Sequence, residues 1–291
     1  MHPLNPLYRA LGHRTFERFD RLWINVGRFS LMSKPSALNV EVTREGLNDL
    51  LKESGALAAT FPTTLPTGIK SVAYTMQDPD YGLSSVRRQF RQHLKRGAAH
   101  CEVRLLTWKE LRQDGLEVNL DTARRRNQPN ACYANPKQWG KFCEVVSDCQ
   151  QLKAVGCLVD GTLASFIIAW VQGNRCEGLM THHTRKFAEQ RPSHAVMHGF
   201  TRTMIAHPEI DTVCIGRDMF PPKPSLARFK RYAGYSATPI QLGVVIHPSW
   251  NRLLTNPWSR AGFRSLRQAV GSRSNFLEDS QILDVAAATE I

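Results

Sequence analysis

At 291 residues, 42% hydrophobic and 22% charged, the chain has the composition of a folded protein with a substantial core in one or two units. Seven cysteines, an odd number without a CxxC pair, exclude a disulfide scaffold and read as reduced thiols, and no apolar run reaches the ~20 residues that cross a bilayer. The formal charge of +13, from 38 bases against 25 acids, favours anionic partners: a phosphate-bearing donor, RNA or a membrane surface.

The opening MHPLNPLYRALGHR alternates apolar and basic residues without a signal-peptide core, and Pro3 and Pro6 hold any helix there short, so a cytoplasmic location is the expectation. Pro62, Pro66 and Gly68 punctuate a loop at 62–68. In SSVRRQFRQHLKR, 84–96, Val86, Phe90, His93 and Leu94 recur at helical spacing, with Ser84 or Ser85 as cap and Gly97 as stop. The other faces of that helix are guanidinium and ammonium. CEVRLL, 101–106, is a predicted strand, and Thr107 stands three residues before Glu110, the spacing of a capping box that opens a helix over 107–115.

The polar stretch 121–136, interrupted by Pro129, reads as a loop, and Pro136 then opens a helix with Trp139, Phe142, Cys143 and Val146 on one side. Two apolar runs meet at Asp160-Gly161, a hairpin signal, and Gln172-Gly173-Asn174 turns the chain into a third strand at 176–182. A helix over 193–207, a strand over 211–216, the helix LARFKRYAG at 226–234 and a final pair of extended pieces complete an α+β order. In that last helix Leu226, Phe229 and Ala233 are expected on the sheet. From Met219 to Phe276 there are nine bases and no acid, so this helix opens a strongly positive region.

The strand-ending IGRD at 215–218, the pair Phe229-Lys230 before Gly234, and the arginine-rich SVRRQFRQHLKRG at 85–97 resemble the GNAT-like acyltransferases of the FemAB branch over residues 84–250. The resemblance implies a mixed sheet flanked by helices in a tandem arrangement. A divergent or shortened first unit would span 1–83, the main unit 84–255 and an extension 256–291. It further implies N-acyl transfer from an acyl-CoA or an aminoacyl-tRNA to an amine on a small molecule or peptide, with no tightly bound cofactor.

On this resemblance Lys230 stands near the reacting carbonyl, where its ammonium stabilises the oxyanion. Asp218, His182 and His183 are the candidates for accepting the amine's proton or holding an ammonium. Arg185, Arg191, Ser193, Arg217 and Arg228 are the expected contacts to an anionic donor, the first three at the start of the helix after the meander. The glycine-spaced phosphate loop of many acetyltransferases is replaced by TRKFAEQRPSH at 184–194. No HExxH or Cys/His cluster indicates a metal. Two alternatives stay open: a basic nucleic-acid-binding module without chemistry, and a membrane-associated assembly protein that uses the apolar-basic ends of the chain.

Overall fold

The computed structural model describes residues 1–26, 29–66, 68–128, 131–218, 223–250, 256 and 258. Its centre is an eleven-stranded mixed sheet. The chain opens with a short helix α1 (Asn5–Ala10), an antiparallel meander β1 (Thr15–Arg18), β2 (Arg21–Val26) and β3 (Ser30–Lys34), a helix α2 (Arg44–Ser54), and the strands β4 (Ala58–Thr63) and β5 (Ile69–Met76). The basic helix α3 (Arg88–Gly97) follows, then β6 (Cys101–Leu105), α4 (Trp108–Arg125) and α5 (Pro136–Val146). A second meander comprises β7 (Leu152–Val159), β8 (Thr162–Gln172) and β9 (Arg175–His183). The helix α6 (Pro192–Ile205), β10 (Thr212–Arg217), α7 (Pro224–Tyr232) and β11 (Ser236–Ile246) complete the order.

One local order thus occurs twice: three antiparallel strands, a crossover helix, and a strand parallel to the third. β3 and β4 pair in parallel in the first half, as β9 and β10 do in the second. In space the strands run β1-β2-β3-β4-β11-β5-β10-β9-β8-β7-β6. β5, from the first half, therefore lies beside β10, and β11, from the second, lies beside β4.

The local signals explain most elements. Thr107 and Glu110 form the expected capping box, Asn135 caps α5 with Pro136 in its first turn, and Thr43 and Gly55 begin and end α2. Asp160 and Gly161 have φ of 48° and 81°, the pair of positive values that a tight hairpin needs. Helices α1, α4 and α5 cover one face with Trp139, Phe142, Phe166 and Leu111, and α3, α6 and α7 cover the other with Phe90, Phe200, Val213 and Ile167. A third cluster under α2 joins Trp23, Leu47, Leu51 and Phe61.

Four expectations are corrected. α4 runs on to Arg125, through part of the stretch read as a loop, because Asn119 and Thr122 on its inner side bond to the second meander. α3 begins at Arg88, and Ser85 instead donates from its hydroxyl to Asp78 Oδ2 at 2.9 Å. Pro62 belongs to β4, and the last two extended pieces are one eleven-residue strand, β11. The expected extension at 256–291 lies, apart from Asn256 and Trp258, outside the described residues.

Candidate active site

β9 and β10 pair only at Arg175 with Thr212, Cys176 with Val213, and Glu177 with Cys214. Beyond those residues the two strands part. Register breaks flank the fork, between Ile168 and Ala169 against β9 and between Cys214 and Arg217 against β5, and Gly216 takes a φ of 78°. Gly178 stands just past the apex, where an added Cβ would lie 3.5 Å from Cys214 O. Parting strands expose backbone that a sheet would otherwise use, and this makes a wedge for an elongated ligand.

Asp218 follows β10 at one wall of the wedge. Its Oδ1 accepts from the Tyr74 hydroxyl at 2.9 Å, and its own N–H donates to Val72 O, so β5 fixes both its backbone and its carboxylate. Burial, together with the bond to Asp218, pushes the Tyr74 phenol up to about 12, so that it stays a donor. Lys230 reaches the same place from α7. It is 7% exposed, its Nζ lies 4.4 Å from the Tyr74 ring centroid, and it donates to Arg217 O at 3.3 Å. Burial lowers its proton affinity, and Asp218 opposes that change. Phe229 and Ala233 pack α7 on the core as expected, whereas Leu226 is 38% exposed because Ala227 and Lys230 take the inner face.

Three further charged groups gather at and beyond the apex. Glu177 is 3% exposed; its Oε2 accepts from Arg175 Nε at 3.4 Å, while Oε1 is buried without a hydrogen-bond partner. Burial raises its proton affinity against the pull of Arg175. Lys34, at the end of β3, lies 5.7 Å from the Tyr8 ring centroid, and burial reinforced by Arg217 pushes its ammonium down to about 8. Arg217 donates to Thr60 Oγ1 at 3.5 Å, beside the point where β3 and β4 separate, and burial pushes it down to about 10. Among the described residues neither cation has a carboxylate within ion-pair distance. Both are half-buried, and only the more distant Glu177 carboxylate opposes the shift at Lys34, so the pair favours an anionic ligand group.

The structure brings together Lys230, Asp218 and Arg217 but not the histidines. His182 is 2% exposed, its Nδ1 is hydrogen-bonded to Asn119 Oδ1, and its ring lies against Tyr133 and Phe166 beneath α4. Burial, then Arg126, lowers its pKa well below the usual value. The His183 backbone bonds to Thr122 and Arg125, and burial with Arg125 pushes its imidazole down to about 4. Both hold the sheet to α4.

Arg185, Arg191 and Ser193 gather at the start of α6. Arg185 is exposed and its N–H donates to Asp121 Oδ2; Arg191 holds a left-handed φ of 57° with Nε buried and unpartnered. Beside it the His194 ring packs at a tilt against His93 and Phe90. Arg228 is exposed on the outer side of α7. Tyr74, Lys34 and Glu177 escaped sequence reasoning. The signal for Glu177 is a lone acid within the apolar strand CEGLM; none marks Tyr74 or Lys34 apart from their place in strands.

Residues 84–231 match the family profile of the acetyltransferase (GNAT) domain. Among solved structures, FemX superposes with a TM-score of 0.55 at 11% identity, covering 87% of this chain and 93% of that one. A conserved protein of unknown function from Bacteroides thetaiotaomicron gives 0.56 at 11%, covering 84% and 89%, and L-PGS from Bacillus licheniformis gives 0.53 at 11%, covering 97% and 91%. At these identities the likeness is one of fold. No curated protein matches the sequence. Among the described residues no helix is long and apolar enough to cross a membrane, and no three His, Cys, Asp or Glu side chains are grouped for a metal.

Proposed function

The chain belongs to the acetyltransferase (GNAT) domain family, and from that premise we propose that it is an N-acyltransferase carrying an acyl or aminoacyl group from an acyl-CoA or an aminoacyl-tRNA to an amine. The observation that carries this reading is the fork between β9 and β10, with Asp218, Tyr74 and Lys230 on its wall and Glu177 at its apex.

In this reading the donor's phosphates meet the start of α6 near Arg185, Arg191 and Ser193, and its acyl arm enters the fork. The exposed bases Arg87, just before α3, and Arg88, Lys95 and Arg96 within it offer the wider footprint that a charged tRNA needs. The acceptor nitrogen attacks the acyl carbonyl carbon and forms a tetrahedral intermediate. The Lys230 ammonium stabilises its oxyanion. Asp218 or Glu177 takes the proton released by the amine, and collapse expels the CoA thiolate or the tRNA ribose oxygen, which is protonated as it leaves.

Lys34 and Arg217 supply positive charge for an anionic group on the acceptor, so the acceptor class is an amine that also carries a carboxylate or phosphate. The repeated strand-helix-strand order is read as two GNAT-like units, a shortened one over 1–83 and a main one over 84–255. Arg217 of the main unit reaches Thr60 at the fork of the first, which leaves that fork a substrate-holding role and not a second reaction centre. The test is a mass-spectrometric screen of anionic amines against several acyl-CoAs and aminoacyl-tRNAs. Transfer by the parent protein and not by Asp218→Asn supports the proposal; no transfer from either donor class overturns it.

A further inference from the structure

At the far edge of the sheet, β6 pairs only with β7 among the described residues. Leu106 N–H donates to Ala154 O and Asp160 N–H to His100 O, so the even-numbered residues of this stretch turn their backbone groups toward β7. Cys101, Val103 and Leu105 therefore turn theirs outward. Exposed strand edges attract further strands, and proteins commonly blunt them with a row of like charges, a proline or a bulge. β6 has none of these. Its two charges are of opposite sign, Glu102 and Arg104, 3.4 Å apart within the strand, and Arg104 also donates to the outward Leu105 O at 3.2 Å, which leaves the Val103 groups open.

The strand is self-complementary about Val103. Set antiparallel to a second β6 with Val103 opposite Val103, Glu102 faces Arg104 of the second copy twice over. Cys101 faces Leu105, and the outward amides and carbonyls of Val103 meet as a hydrogen-bonded pair. Charges and apolar residues also sort by face. Arg104 bonds to Glu110 of α4 on one side of the sheet, while Cys101 and Val103 point to the α6 side. On that side Leu105 is 53% exposed, and a groove of about 480 Å³ between α3 and α6 adjoins it, with Leu94, Ala195 and Leu83, itself 55% exposed, on its apolar part and His198, Arg202 and Thr203 on its polar part.

From this edge we infer that the protein forms a twofold homodimer through β6, which joins two eleven-stranded sheets into one. The occupant is a second copy of this chain, because an unrelated strand has no reason to match both the charge order and the apolar face.

The test is the mass in solution of the full chain, by light scattering over a range of concentrations, with the variants Glu102→Lys and Arg104→Glu. The parent is expected at twice 32.9 kDa. Each variant places like charges opposite each other twice, and is expected to weaken the dimer about tenfold or more. Mixed together, the two variants restore both opposite-charge pairs and are expected to form a heterodimer. A parent that stays monomeric, or a dimer that neither variant weakens, or variants that weaken but do not complement, overturns the proposal. If a variant does not fold, amide exchange in the parent decides. Val103 and Leu105 amides that slow with rising concentration support β6 pairing, and amides whose exchange is independent of concentration overturn it.

Discussion

Tyr74 holds Asp218 by a 2.9 Å hydrogen bond while its ring carries the Lys230 ammonium 4.4 Å from its centroid, so one side chain from β5 orders two charged groups on the wall of the fork. Tyr74→Phe keeps the ring and removes the bond. The expected result is a melting temperature shifted by only a few degrees, since a hydrogen bond contributes about 1 kcal/mol net, with turnover reduced roughly tenfold because the carboxylate is free to rotate. Stopped assays beside thermal melts check it; turnover equal to the parent's would remove Tyr74 from the site.

Lys230→Ala is expected to lower transfer by about 10²-fold, the lower end for loss of an oxyanion donor. Lys230→Arg should recover little, because a planar guanidinium does not fit the space between the Tyr74 ring and Arg217 O. Single-turnover rates with saturating donor separate this loss from weakened binding. An alanine variant as fast as the parent would confine Lys230 to a structural tie.

The buried histidines make stability depend on pH. His183 and His194 are pushed from 6.5 to about 4, so between those values the unfolded chain binds protons that the folded chain refuses. The part of the stability linked to these histidines is therefore complete above about pH 6.5 and declines as the pH falls toward 4. Melting curves from pH 7.5 to 4.5 should show this, and His194→Gln should flatten the slope. His182→Gln is expected to lower the melting temperature through the lost Asn119 contact without altering the pH dependence of turnover.

Lys34, pushed down to about 8, gives the opposite end of the titration. Between about 8 and its ordinary 10.5 the folded chain holds it neutral while the unfolded chain keeps the proton, so its contribution to stability rises with pH in that window. An anionic acceptor beside it favours the charged form. Acceptor binding at pH 8.5 should then take up a proton, visible in calorimetry as a dependence of the heat on buffer ionisation. Lys34→Met should abolish that uptake and raise KM more than it lowers kcat.

Arg185→Ala should weaken donor binding about tenfold and leave the melting profile nearly unchanged, as expected for an exposed charge in a turn. Equal donor affinity by calorimetry would take Arg185 out of the site.

The second half of the chain was legible because its signals are local. Asp160-Gly161, Thr107 with Glu110, and Pro136 each specify a turn or a cap within four residues. α4 defeated that kind of reading: its second half looks polar, but Asn119 and Thr122 are spent on His182 and His183, 63 and 61 residues away. The first half, with strands as short as TFER, offered too little alternation to order. Of the candidate site, the expectation for Lys230, Asp218 and Arg217 came from a family pattern, and the structure places the three near one another. Tyr74 and Lys34 could not be read in this way, because Tyr74 bonds to Asp218, 144 residues distant, and Lys34 feels the charges of Arg217 and Glu177 from the other half of the chain.

The exchange of β5 and β11 makes the chain's length a requirement in itself. Each half ends by sending a strand across to the other, so a protein shortened to either half loses a central strand and gains one with nothing to lie against. An arrangement of this kind ties the fate of the two halves together. Substitutions in the first half still reach the fork through Tyr74, whose hydroxyl and ring hold Asp218 and Lys230 of the second.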